Sequence, residues 1–300
     1  MTPAPVKSVV GQKPTTREQT YMAVVDQFKR GDSKALRMMF PTVAEQERFL
    51  GVVFNLLSNE SDILERCDPM SIVAAIKDAA AMGLEPGTSD GSLVRYGTKC
   101  VFLPMWQGYL KRIRNSGQVG DVDVQLVCQG DEFRYTLGTN PEIIHVPALE
   151  DRGPYTHVYA WASMPSGAYI VDVMTVDEVN VIRDTHGAKS GGKLVGPWLT
   201  DYGEMARKTA IRRLAKRLPA SATQQILMVD ARADEVQREV KVVKDQMADV
   251  RAIALKAVGL GPAPEPTPAL SEGAPAPEDA EATPTTEDLI AARESGVLGS

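Results

Sequence analysis

Apolar residues recur three and four apart from Val43 to Leu57, from Ile72 to Ala80 and from Trp106 to Ile113, and that spacing predicts helices. Thr42-Val-Ala-Glu45 reads as a capping box at the first start. Asp68-Pro69 places an N-cap acid before a proline at the second, and Gly83 should stop that helix. Between and beyond them the period changes to two. Ser92–Tyr96 and Lys99–Leu103 flank Gly97-Thr98 as a hairpin. Val119–Cys128 alternates and leads through Gln129-Gly130-Asp131 into Phe133–Leu137. Thr156–Met164 and Tyr169–Met174 form another hairpin, and Thr175-Val-Asp-Glu178 caps a brief helix to about Asp184. A glycine-rich loop, Thr185–Pro197, precedes one strongly basic helix over about Leu199–Leu218, ended by Pro219. This order of helices, strands and helices predicts an α+β fold with antiparallel hairpins packed against helices. Residues 1–16 read as a flexible N-terminus, 17–219 as the core and 220–258 as a charged helical arm. Residues 259–300, rich in Pro, Ala and Glu, read as a disordered acidic tail.

The net charge of −6 changes meaning when it is divided. The segment after residue 258 carries −7, leaving +1 for the rest, so a local basic surface is compatible with an acidic whole. No apolar run reaches the length of a membrane span, and Met1–Thr16 lacks the apolar block of a secretory leader. Cys67, Cys100 and Cys128 are widely spaced, which argues against a zinc site and suits a reducing cytoplasm.

Two helices carry the candidate chemistry. On the first, Trp106, Tyr109, Leu110 and Ile113 form the apolar face, while Gln107, Lys111 and Arg114 share another face and Arg112 points elsewhere. On the second, Lys208, Arg212 and Lys216 form a row with Arg213 and Arg217 beside it, and Ala210, Ile211, Leu214 and Leu218 lie opposite. Like charges four apart destabilise an isolated helix, and a polyanion would relieve them. Arg207 falls in the apolar arc, where snorkelling, pairing with an acid or recruiting DNA are all open to it. Trp198 and Tyr202 stand beside the row, suited to stacking on bases or to core packing, and Lys189 and Lys193 could close over a strand. Gly187–Lys193 nearly spells a P-loop but has Leu194 where Ser or Thr is needed and no strand before it, so no ATP site is expected. Asp121 and Asp123 share a strand face and could hold a metal ion, and His145, His157 and His186 lack ligand spacing.

Taken in order, several motifs resemble the RecT family. They are Asp68-Pro69, Ala80–Gly87, Gln107-Gly-Tyr109, Arg114–Val119, Gly130–Phe133, Thr156–Ala160, Val173–Thr175, Gly196-Pro-Trp198 and Glu204–Leu214, which includes Thr209. The likeness covers about residues 68–219. It implies a non-catalytic recombinase of phage origin that binds single-stranded DNA and anneals complementary strands, with no cofactor and no ATP and with Mg2+ at most a modulator. It implies a homo-oligomer, ring or helical filament, working on single strands and annealed duplex beside a phage exonuclease and the host single-strand-binding protein. Read from the two helices, their aromatics and the loop lysines, the DNA-binding set would be Gln107, Lys111, Arg114, Lys189, Lys193, Trp198, Tyr202, Arg207, Lys208, Thr209, Arg212, Arg213 and Lys216. Two rivals stand beside it: a metal-dependent nuclease using Asp121 and Asp123, and a phage assembly protein whose basic helix binds an acidic partner.

Overall fold

Three strands of alternating apolar and polar residues build the platform on which the candidate site sits. The computed structural model describes residues 16–30, 32–190 and 192–257. In chain order these form α1 (Thr16–Arg30), α2 (Asp32–Arg37), α3 (Val43–Asn59), α4 (Ser61–Arg66), α5 (Pro69–Met82), β1 (Gly91–Tyr96), β2 (Lys99–Pro104) and α6 (Trp106–Arg114). There follow β3 (Asp121–Cys128), β4 (Glu132–Thr136), β5 (Glu142–Val146), β6 (Tyr155–Ser163), β7 (Tyr169–Thr175) and α7 (Val176–His186). The last elements are β8 (Lys189–Ser190), β9 (Lys193–Leu194), α8 (Pro197–Thr200), α9 (Tyr202–Ala215) and α10 (Ala220–Ala257). The expected loose N-terminus, up to residue 15, and the expected acidic tail lie outside the described residues. The chain divides into two compact units, residues 1–245 and 246–300, and the fold below is that of the first.

The architecture is mixed α and β with antiparallel sheets packed against helices. β3, β6 and β7 pair in the order β3-β6-β7, while β1–β2, β4–β5 and β8–β9 are separate two-stranded ribbons. β3 does not continue into a hairpin with β4: it pairs with β6, Val124 opposite Ala160, and β4 pairs with β5. The choice follows burial. Val122, Val124 and Leu126 of β3 join Val158, Ala160 and Ala162 of β6 in the core, whereas β4 and β5 bury none of their residues. α9 lies across this sheet. Its Ala206 and Ala210 and the alanines of β6 are small enough to bring helix and sheet close, and Ile211 and Leu214 are fully buried.

Local signals set most helix ends. Both capping boxes form, at Thr42/Glu45 and Thr175/Glu178. Asp68 accepts from the Ser71 N–H, and Gly83 closes α5 at φ 66°, a left-handed cap that glycine adopts without strain. The single basic helix expected from about Leu199 is interrupted. The Asp201 N–H closes a short turn on Pro197 O, and the Asp201 carbonyl then starts α9. The segment from residue 220 is more than a solvated arm at its start. Ala222, Ile226, Val229 and Ala233, spaced four, three and four, are buried.

The β3–β4 turn is held by Asp131, whose side chain is fully buried. It accepts from Arg152 Nη2 at 2.7 Å and Nε at 3.0 Å, from the Cys128 and Ala148 amides, and contacts His145 Nε2 at 3.1 Å. The Arg152 guanidinium first, then the Cys128 amide, His145 and the Ala148 amide, hold its carboxyl well below the usual carboxylate range. A depressed folded-state value stabilises fully above the unfolded value of about 3.9 and is lost as pH falls below it. We therefore expect Asp131→Asn to lower Tm most at neutral pH. The gap to wild type should narrow as the pH of the melts is taken below about 4.

Candidate nucleic-acid interface

α6 and α9, which carry most of the bases singled out in the sequence, pack against each other beside the sheet. Trp106 Nε1 donates to Glu204 Oε2 at 2.5 Å, and the Arg207 guanidinium lies 5.4 Å from the Trp106 ring centre. Arg207 also pairs with Glu204 at 2.6 Å, so of its three readings it pairs with an acid.

Most of these bases already hold acids. Lys208 Nζ and Arg212 Nε each lie 3.1 Å from the Asp230 carboxylate, and Arg212 Nη2 reaches Asp234 at 2.5 Å. Asp230 is fully buried and also accepts from the Tyr109 hydroxyl at 2.7 Å. Burial, reinforced by Asp230, raises the Tyr109 phenol well above its ordinary range, so it remains a donor. Arg213 lies 3.1 Å from Asp172 and 3.4 Å from Glu178, and Arg217 donates to Val171 O at 2.6 Å. Thr209 Oγ1 donates back to Met205 O at 2.8 Å. On α6, Lys111 pairs with the buried Asp90 at 2.5 Å, Arg114 pairs with Asp121 at 3.2 Å, and Gln107 is half-buried.

Lys189, Lys193 and Lys216 are exposed. Lys189 Nζ donates to the Asp184 carbonyl at 2.7 Å, and Lys193 and Lys216 hold no acid among the described residues. Trp198 is 8 % exposed and meets Tyr202 edge-on at 6.0 Å, so its ring is packed inside rather than open to a base. Tyr202 is half-buried, stacked on Tyr155 at 6.2 Å, and its hydroxyl donates to Asn180 Oδ1 at 3.0 Å. Asp121 and Asp123 turn to different partners, Arg114 and Gln125, and among the described residues no group of three or more His, Cys, Asp or Glu is placed to hold a metal ion.

What the reading of the sequence missed is the acid pair Asp230 and Asp234. A signal was present: they stand four apart, the spacing of Lys208 and Arg212, on a helix whose apolar stripe faces the core. A second omission is an aromatic groove on the sheet face away from α9. Tyr159 and Trp161 of β6 and Tyr169 of β7 line it with His145 and Glu142 of β5, around a cavity of about 400 Å³. Phe133 stacks on Tyr159 at 5.5 Å, and His145 Nδ1 lies 3.1 Å from the Tyr159 hydroxyl. Alternate aromatics at 157, 159 and 161 were its signal.

Comparison with known proteins bears on the whole region. The model of the RecT family matches residues 47–245. The protein named Protein RecT, from Escherichia coli strain K12, is 38% identical over 168 residues, which cover 53% of this chain and 61% of that relative. No described helix is long and apolar enough to cross a membrane.

Proposed function

From the premise that the chain belongs to the RecT family, we propose that it binds single-stranded DNA and anneals complementary strands in recombination, as an oligomer and without ATP. The observation that carries the reading is the family match, which spans the entire sheet, α6, α9 and the paired part of α10. Annealing requires no bond cleavage. Its barrier is the repulsion between two polyanions, and a surface that neutralises phosphates lowers it. The charges free to do so first are Lys189, Lys193 and Lys216, joined by the half-exposed Arg213 and Arg217 at the end of α9. Lys208 and Arg212, locked to Asp230, set the orientation of α9 instead. A nuclease that exposes single strands and a single-strand-binding protein of the host are the partners this activity calls for.

The test is annealing of two complementary oligonucleotides, followed by fluorescence without ATP, for wild type and for Lys193→Glu/Lys216→Glu. Both positions are exposed, so Tm should stay within the scatter of ordinary surface changes. We expect annealing to slow at least tenfold at about 0.1 M salt, with the salt dependence of DNA binding falling by about two units of slope. Wild-type protein that anneals nothing at any salt would overturn the reading.

A further inference from the structure

We propose that the cavity between Arg112 of α6 and Arg232 of α10 is a phosphate-binding site. It has a volume of about 450 Å³ and opens beside the first turns of α10, with Ser221, Gln224 and Gln225 on its wall. Arg112 differs from the other arginines of α6 and α9. Arg114, Arg207, Arg212 and Arg213 each hold a carboxylate, but Arg112 contacts only the neutral Gln225 Oε1, at 3.3 Å. Its Nε is buried and donates to nothing. Arg212 Nε also lacks a hydrogen bond of good geometry, yet it sits 3.1 Å from Asp230. Arg112 Nε has no such compensation among the described residues.

A guanidinium that lines a cavity and holds no carboxylate lacks a counter-charge, and an anion in that cavity would supply one through charge-assisted hydrogen bonds. The cavity's carboxylate, Asp78, is already engaged by Arg232 through both oxygens, at 2.7 and 2.8 Å. With two guanidiniums, one carboxylate, two amides and a hydroxyl, the site has the donors and the positive balance that a phosphate group requires. It also lies at the positive end of the α10 dipole. The phosphate could belong to a DNA backbone or be free. The first source rests on the proposed DNA-binding function, and the second does not.

The experiment uses the full chain and two probes. Labelled oligothymidine is titrated at several salt concentrations, and inorganic phosphate is tested for its effect on Tm. The variants are Arg112→Gln and Gln224→Glu. Gln224 is exposed in the second turn of α10, so this variant puts a negative charge at the cavity mouth without disturbing the fold. If Arg112→Gln destabilises the protein in phosphate-free buffer, Gln224→Glu decides. Oligothymidine affinity about tenfold weaker at ~0.1 M salt, with the salt slope lower by about one, assigns the site to a DNA phosphate. Unchanged DNA binding with loss of a phosphate-induced rise in Tm assigns it to free phosphate. If both variants match wild type with both probes, the proposal is overturned. If wild type binds no oligothymidine at all, the DNA-binding function fails, and the phosphate arm alone still decides the cavity.

Discussion

Asp230→Ala should cost the protein about 3–5 kcal/mol, measured as the loss of unfolding free energy in urea. The carboxylate is fully buried and faces Lys208, Arg212 and the Tyr109 hydroxyl. Removing it leaves Lys208 with little solvent and no acid, Arg212 with Asp234 alone, and one phenol without its acceptor. The cost is that of stranded charge rather than the worth of the ion pairs themselves, since a buried pair gains little net over an apolar replacement. Asp230→Asn, which keeps an acceptor for Tyr109 but no charge, should fall between. A urea midpoint unchanged in Asp230→Ala would mean that solvent reaches Lys208 and Arg212 freely, and that the row is available to a ligand after all. The same reasoning applies in reverse to Lys208→Ala/Arg212→Ala. That double variant strands Asp230, so loss of annealing in it reports the fold before it reports DNA contact.

Gly108→Ala should be nearly as damaging, at about 3 kcal/mol or more, because overpacking against backbone cannot be relieved by a rotamer change. A Cβ at Gly108 would stand 2.1 Å from the Asp90 carbonyl oxygen and 3.2 Å from Leu84 Cδ1. That carbonyl also accepts from the Met105 N–H at 2.9 Å, and the Asp90 side chain holds Lys111. The added methyl group therefore drives the Asp90 loop off the start of α6 and breaks both links. The contrast is Gly51, in mid-helix on α3, where a Cβ meets nothing within 4 Å. Gly51→Ala should stabilise by about 0.5–1 kcal/mol, the helix-propensity difference between the two residues. Thermal melts of the two variants side by side give opposite signs if the close approach at Gly108 is real.

Local chemistry was readable wherever the signal and the structure that satisfies it lie within a few residues. The capping boxes at Thr42 and Thr175, the Asp68 N-cap, the Gly83 stop and the β1–β2 hairpin around Gly97-Thr98 are all of this kind. The apolar face of α9 was equally readable, because Ala210, Ile211 and Leu214 bury according to helical period alone. The break at Asp201 had a local signal that the helix reading passed over, since Thr200, Asp201 and Gly203 all stand low in helix propensity. β5 was hidden because it buries none of its residues, and only its register with β4 makes it a strand.

The candidate site divides in the same way. Helical geometry, fixed by the sequence, determined that Lys208 and Arg212 share a row and that Lys111 and Arg114 share a face. Whether those charges face a ligand or an internal acid depends on what lies opposite them, which is a property of packing. Asp230 and Asp234 arrive from a helix some twenty residues on, Asp90 from a loop twenty residues back, and Asp172 from a strand forty residues away. Tertiary structure buried Trp198, left Lys193 and Lys216 in solvent, and gave Arg112, which the helical wheel set aside, a cavity and no carboxylate. The sequence by itself determined the elements, their apolar faces and the positions of the charges along them. Only the fold decided which charges are neutralised, because a Coulomb partner is chosen by distance in space, and sequence separation places no limit on it.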